Sequence, residues 1–364
     1  MAEPPSVVIA GLTAVSALGR EADAQLAGAL AGTATFTPVR RFDVTDRRVR
    51  VAATLDTVGP LADELAAVVD GACAAAGLTA GQRAGTALLL AVHGGAGVPA
   101  LATALAARAG LAGVRRVYTT ACVSAGTAVA DAAALVAAGR ADRLVVAAGY
   151  LVEPDQYALF DAGRALATDG VVRPFSTGRK GLLLGDGVAA VVVESAAAAH
   201  DRGHAPLARL VGWGRAGDGY HPCQPDPSGA GLARAVTAAL GRAGLAPTDV
   251  GYVNANATGT AYSDASEAAA LRRALGPALD RIPVSSTKSI HGHALEASAL
   301  LELVITVLAL RHGKLPVNAG FLGADDACPL DVVVDAPRPV GTPYALSLNA
   351  AFGGANTALL VGAA

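Results

Sequence analysis

Short runs of apolar, often β-branched residues alternate along this chain with Ala-rich stretches of helical periodicity. That alternation restricts the fold more than any other feature, because strands separated by helices build an α/β fold with helices on both faces of the strands. Strands are expected at 6–11 (SVVIAG), 86–92, 143–149 (RLVVAAG) and 207–214, with a hairpin over 181–194 around Gly185-Asp186-Gly187. Helices are expected at 21–32, 61–77 and 125–139, with Gly77 as a stop. Residues 12–19 read as a loop and 151–170 as irregular. After a turn-rich stretch at 225–229 the same order resumes. Helices at 233–244, 264–275 and 295–312 alternate with strands at 250–255, 284–286, 331–334, 344–349 and 356–361. The strands are expected to run mostly parallel. Two lobes follow, 1–225 and 226–364, as suits a chain of 364 residues, longer than a single core usually serves.

One stretch stands out within this pattern. Val117 to Gly126 (VYTTACVSAG) takes a strand into a helix and puts Cys122 on the turn between them. A thiol at a helix N-terminus is expected to have a lowered pKa, which suits a nucleophile. A small buried cysteine that only fills space reads equally well on this stretch alone. A second segment has a similar layout: Ser286-Thr287 leads through His291 and His293 into the helix that ends at Gly313, so His293 appears as the counterpart of Cys122. This internal echo suggests a duplication.

Composition removes several function classes. The net charge is -2 with no block of like charges, so neither nucleic acid nor an acidic membrane surface is an expected partner. Cys73, Cys122, Cys223 and Cys328 lie far apart without CxxC spacing, which argues against a disulfide framework and against a metal site. The stretch Met1–Pro5 lacks the pattern of an export signal, and no apolar run free of charge and glycine is long enough to cross a bilayer, so a cytoplasmic location is expected. The glycines of His93-Gly94-Gly95-Ala96-Gly97 match neither phosphate-binding fingerprint and read as close backbone packing.

Taken in order, the motifs resemble those of the β-ketoacyl synthases of the thiolase superfamily. They are TACVSAG at 120–126, FDAGRAL at 160–166, RPF at 173–175 and LGDG at 184–187. YHP at 220–222, VNANATGT at 253–260, SSTKSIHGH at 285–293 and AAFGGAN at 350–356 complete the set. The resemblance implies a thiolase-like fold, with duplicated lobes in α-β-α-β-α layers. It implies that Cys122 accepts an acyl group from acyl carrier protein and that Claisen condensation with a malonyl-type extender follows, in polyketide or fatty-acid biosynthesis. The backbone N–H groups of Cys122 and Phe352 would form the oxyanion hole, with Lys288 positioning His293. Thr258, Thr260, Ala350 and Phe160 would line the substrate path. No cofactor is implied, since the phosphopantetheine arm belongs to the carrier protein. The resemblance also implies a homodimer, or a heterodimer with a ketosynthase-like subunit.

The chain departs from that pattern at informative places. Asn256 stands where the family has its first histidine, and Ala257 where a glycine follows it. An amide donates a hydrogen bond but cannot accept and carry a proton. His293 keeps the second histidine position, where it would act as base and enolate stabiliser. Ala350 replaces a bulky gating phenylalanine, Lys180 an acid, and Glu296 a small residue one helical turn from His293, where its charge is expected to raise the imidazole pKa. The stretch from Gly97 to Gly110 is shorter than in relatives. His291 and His93 read as structural or loop histidines, Lys288 and Glu302 as a buried pair that positions His293, and Asp264 and Glu267 as supports.

Three functions fit these residues: condensation, transacylation without decarboxylation, and a non-catalytic chain-length partner of a ketosynthase. Retention of Cys122 argues against the third. Thiolytic cleavage ranks last, because Cys328 lies outside the Phe352 loop.

Overall fold

A computed structural model describes residues 6–364; the stretch Met1–Pro5 lies outside the described residues. Eleven strands form one mixed sheet. Its order is Asp331–Val332, Pro283–Ser285, Val250–Asn254, Tyr344–Ala350, Ala355–Ala363, Ala208–Gly217, Val7–Ser16, Gly187–Ser195, Arg143–Tyr150, Ala87–Val92 and Gly113–Tyr118. Read outward from the middle, each half repeats one topology. The first strand of the half is innermost, then come the fifth, fourth, second and third, with Asp331–Val332 added at the far edge of the second half. The halves join edge to edge only at Val8↔Arg209 and Ile9↔Ala208. The strand repeat thus restarts at Ala208, ahead of the turn-rich stretch near Pro225.

Two apolar helices fill the space between the halves. Ser124–Ala137 packs on Arg143–Tyr150 and Gly187–Ser195 of the first half and on Ala355–Ala363 and Ala208–Gly217 of the second. Ser298–His312 packs likewise on strands of both halves, and every residue from Ser298 to Leu310 is buried. A helix apolar on all sides needs cover on all sides, which a central layer supplies. The two helices approach closely at Gly126, where a Cβ would lie 3.4 Å from Ala299 Cβ and 2.6 Å from Thr357 Oγ1. Outer helices Leu61–Ala75 and Ala230–Ala243 cover the opposite faces. The expected α-β-α-β-α layering is present.

Several local expectations differ from the structure. The sheet is not mostly parallel: Val7–Ser16, Gly187–Ser195, Ala208–Gly217 and Ala355–Ala363 each run antiparallel to their neighbours. Apolar runs buried on both faces look alike in either direction, so composition does not distinguish them. Residues 12–16 continue the first strand instead of forming a loop. The expected hairpin around Gly185 is one strand, Gly187–Ser195, preceded by an isolated bridge between Leu184 and His293. The stretch read as irregular holds the helix Pro154–Ala162, which buries only Tyr157, Phe160 and Asp161 and so shows little apolar periodicity.

Candidate active site

Cys122 sits on a 3-10 turn, Ala121–Val123, between the strand Gly113–Tyr118 and the central helix Ser124–Ala137. Ala121 takes φ 50°, a costly conformation for a residue with a Cβ, and Ser124 Oγ fastens the turn by donating to Ala121 O at 2.7 Å. The thiol is buried. Its pKa is pushed up to about 12, first by desolvation and next by the Glu296 carboxylate, against the pull of Lys288. The expected lowering by the helix dipole is outweighed, because burial penalises the charged form more than a terminal dipole favours it. At rest Cys122 is therefore a thiol.

An imidazole stands beside it. His293 Nε2 lies 3.1 Å from Cys122 Sγ, and Nδ1 lies 2.8 Å from Ser298 Oγ, which also accepts from Ala294 N–H at 2.9 Å. Burial, with Lys288 and His291 nearby, holds the imidazole pKa well below its ordinary value, so His293 is neutral and free to accept a proton. Glu296 does not raise it as expected. The backbone fixes the ring: His293 N–H donates to Leu183 O at 2.8 Å, and Gly185 N–H donates to His293 O at 3.0 Å. Gly185 must lack a side chain here, since a Cβ would lie 2.0 Å from His291 O.

Lys288 Nζ lies 2.6 Å from Glu302 Oε1 and donates to Asn256 Oδ1 at 3.4 Å, while Asn349 Nδ2 donates to Glu302 Oε2 at 2.7 Å. The expected buried pair is present; its hydrogen bonds reach Asn256 and Asn349, and among the described residues none runs to His293. With Oδ1 engaged by Lys288, the NH2 group is what the Asn256 amide has left to offer. Asn256 N–H donates to Glu267 Oε1 at 2.8 Å, and Asp264 accepts from the N–H groups of Phe175, Thr258 and Gly259. Burial raises Glu267 to about 8 and Asp264 to about 6. Both hold the loop from beneath, as read from the sequence.

Thr258 and Thr260 hydroxyls lie 3.1 Å apart. Phe352 is exposed at the turn after the strand Tyr344–Ala350, with its ring 6.0 Å from that of Phe160. Among the described residues its N–H has no hydrogen-bond partner, and Gly353 N–H ties the turn to Pro222 O at 2.8 Å. Ala350 is the last residue of its strand and is half-buried. His291 is fully buried, held by Thr287 Oγ1 at 3.0 Å, and its pKa is lowered to about 3 by burial, so it is a neutral packing group. Among the described residues no His, Cys, Asp and Glu cluster suits a metal ion, and no helix is long and apolar enough to cross a membrane.

Sequence reasoning missed one contact. His93 Nδ1 lies 3.0 Å from Glu296 Oε1, joining a residue read as a loop histidine to a buried carboxylate 203 positions away. In the sequence Glu296 reads only as a carboxylate one helical turn from His293. The duplication, taken in correct register, is the signal that leads to it: Leu295–Ala297 is a second 3-10 turn before a central helix, and it pairs Glu296, not His293, with Cys122.

A layered double-lobed fold, with a buried cysteine before one central helix and a histidine beside the other, defines the thiolase-like class. Within it the chain belongs to the β-ketoacyl synthase family, matching the beta-ketoacyl synthase N-terminal domain over residues 90–199 and the C-terminal domain over 207–322. It is 35% identical to 3-oxoacyl-[acyl-carrier-protein] synthase 2 of Staphylococcus aureus over 258 residues, which cover 69% of this chain and 64% of that protein. It is 38% identical to Nodulation protein E of Rhizobium meliloti over 270 residues, 72% of this chain and 66% of the relative. The matches thus span less than two thirds of these relatives' lengths. Among solved structures, the ishigamide ketosynthase/chain length factor superposes with a TM-score of 0.91 at 26% identity, covering 99% of this chain and 100% of that one. A beta-ketoacyl synthase from Burkholderia phymatum STM815 gives 0.89 at 28% identity, with the same coverages.

Proposed function

We propose that this protein is a ketosynthase-type acyltransferase that loads an acyl group from acyl carrier protein onto Cys122 and passes it on by Claisen condensation, in polyketide or fatty-acid biosynthesis. The observation that carries this reading is the 3.1 Å contact between Cys122 Sγ and a neutral His293 Nε2. As Sγ attacks the carrier thioester, the thiol proton passes to Nε2, so a thiol with a raised pKa never has to ionise in isolation. The N–H groups of Cys122 and Phe352 stabilise the oxyanion. Collapse expels the pantetheine sulfur, which takes the proton back from His293. In the condensation, the malonyl carboxylate leaves as carbon dioxide, and its bonding pair becomes an enolate whose oxygen accepts from the Asn256 amide and from His293 Nε2–H, the proton there being one taken up from solvent. The enolate carbon then attacks the acyl thioester, and Cys122 Sγ departs with the Nε2 proton, which restores the resting thiol.

Asn256 favours a second reading, transacylation without decarboxylation, which needs the thiol, one base and the oxyanion hole but no second imidazole. The curated relative named for the acyl carrier protein supports that donor, and the ketosynthase/chain length factor neighbour supports pairing with a like subunit, homodimeric or heterodimeric. A carrier-dependent enzyme of this kind would work in the cytoplasm. A non-catalytic partner role is the less supported alternative, because Cys122 and its base are both in place.

Intact-mass measurement after incubation with acyl-loaded carrier protein tests the proposal. An acyl adduct that disappears in Cys122→Ser is expected. Addition of malonyl carrier then separates the two readings: carbon dioxide release supports condensation, and intact malonate supports transacylation. Failure of every acyl donor to form the adduct would leave only the partner-subunit reading.

A further inference from the structure

Glu296, His93 and Tyr150 take no part in the steps above, yet the elements that carry or lead into them meet at the turn Leu295–Ala297, which packs on the Cys122 turn. The turn Leu295–Ala297 packs against the Cys122 turn, against the strand Ala87–Val92 that leads into His93, and against the strand Arg143–Tyr150, besides the central helices and the strand Gly187–Ser195. Glu296 is buried, with Oε1 held by His93 and with Oε2 lacking any hydrogen-bond partner. The Tyr150 hydroxyl is also buried and also unpartnered. The Glu296 charge acts on both Tyr150 and Cys122. Unpaired polar atoms are expensive to bury, and two on elements that pack together next to the Cys122 turn call for a ligand that supplies donors.

We propose that Glu296 and Tyr150, with His93 fixing the carboxylate, form a pocket for an amine carried by the acyl group on Cys122. The site would then select a short acyl chain ending in an ammonium over an alkyl chain of the same size. This inference rests on Cys122 being the acyl acceptor. An ammonium has three N–H donors; Glu296 Oε2 and the Tyr150 oxygen accept two of them, and the opposite charges balance within the pocket. An alkyl chain of equal volume leaves both oxygens unsatisfied, and sites built to hydrogen-bond a substrate group discriminate strongly against analogues that lack it. The ammonium would also offset the negative field that Glu296 places on the thiol, so the preferred substrate would ease ionisation of its own acceptor.

The test uses the full chain and two N-acetylcysteamine thioesters of matched size, β-alanyl and butyryl, with adduct formation at Cys122 followed by intact mass. In the unmodified protein, β-alanyl loading is expected to be faster by about tenfold or more. Glu296→Gln should bring the ratio near one, and Tyr150→Phe should reduce it part of the way. Because both thioesters are read in the same variant, a general folding defect slows both and leaves the ratio unmoved. Butyryl loading as fast as β-alanyl loading in the unmodified protein overturns the amine pocket and leaves the acyl-acceptor reading intact. If neither thioester and no acyl carrier loads Cys122, both readings fall together.

Discussion

Cys122 and Glu296 occupy the same position in two copies of one turn. Each is the middle residue of a 3-10 segment, Ala121–Val123 or Leu295–Ala297, whose first residue has positive φ (50° at Ala121, 41° at Leu295). A serine opens the central helix that follows each, Ser124 in one half and Ser298 in the other. The two turns pack against each other across the pseudo-symmetric interface, so the Cys122 thiol of one half faces a carboxylate from the equivalent place in the other. The duplication thus supplies a negative charge where a nucleophilic thiolate would be hindered.

That arrangement predicts the pH dependence of alkylation. With the thiol held up to about 12, iodoacetamide modification of Cys122 should climb roughly tenfold per pH unit without levelling off before pH ~10, since the thiolate is the reactive form. Glu296→Gln removes a negative charge, which favours the thiolate, so its curve should move to lower pH. Peptide mapping separates Cys122 from the exposed Cys223. A plateau below pH ~9 in the unmodified protein would show a thiolate stabilised at rest and contradict this account.

His293 predicts the acid side of the loading profile. A histidine with its ordinary pKa would lose base function as pH falls through 6.5, but burial and Lys288 keep this one neutral well below that value. Loading rates measured from pH 8 down to about 5 should therefore show no loss at the usual histidine pKa. Ser298→Ala removes the partner of Nδ1 and leaves Ala294 N–H unsatisfied, at a cost of about 1–3 kcal/mol in alignment and stability. Its loading rate should fall while the flat profile is retained. An acid limb near pH 6.5 in the unmodified protein would mean that His293 is hydrated.

The loop that carries Asn256 has a pH signature of its own. Glu267 is raised from 4.5 to about 8, so the folded chain holds a proton there that the unfolded chain releases above pH 4.5. The contribution of this group to stability is fully present below pH 4.5 and is lost as pH rises through 8. Asp264, raised to about 6, adds to the same trend only below that pH. Melting temperatures across the pH range from 6.5 to 8 therefore report mainly on Glu267. Glu267→Gln keeps an acceptor for Asn256 N–H without the titration, so its melting temperature should gain on the unmodified protein as pH rises across that window. A parallel pair of curves would show that Glu267 is ionised in the fold.

The sequence made some of this legible and hid the rest for physical reasons. Cys122, Asn256, His293 and the Lys288–Glu302 pair were readable because each lies in a short local signal: a strand-to-helix turn, a motif register, or a charge in an apolar helix. Strand direction was not readable, since Val188–Val193 and Leu144–Ala148 are equally apolar whichever way they run. The echo between the halves was visible but slipped. The segment Lys288–His291 adds a helical turn before the second 3-10 segment that the first half lacks, and this moved His293 into the place of Glu296 in a linear comparison. The Glu296–His93 contact joins the two halves of the duplication, and periodicity within a segment carries no information across 203 positions.

The buried pair gives the sharpest separation of charge from packing. Lys288 and Glu302 are almost wholly enclosed, and both organise amides, Lys288 through Asn256 Oδ1 and Glu302 through Asn349 Nδ2. Lys288→Met leaves the Glu302 carboxylate buried without its cation, which should cost about 3–5 kcal/mol and lower the denaturation midpoint accordingly. The double variant Lys288→Met with Glu302→Leu removes both charges and should recover most of that loss, short of about 1 kcal/mol for the orphaned Asn349 amide. Loading by Cys122 should survive in the double variant, because His293 Nε2 still faces Sγ, whereas any step that uses the Asn256 amide should fail once Lys288 no longer holds Oδ1. Chemical denaturation of the single and double variants, with adduct formation and carbon dioxide release measured on the same samples, distinguishes the two effects. If the double variant is no more stable than Lys288→Met, the pair contributes through shape and not through mutual neutralisation. If it condenses as well as the unmodified protein, the amide of Asn256 does not depend on Lys288 for its orientation.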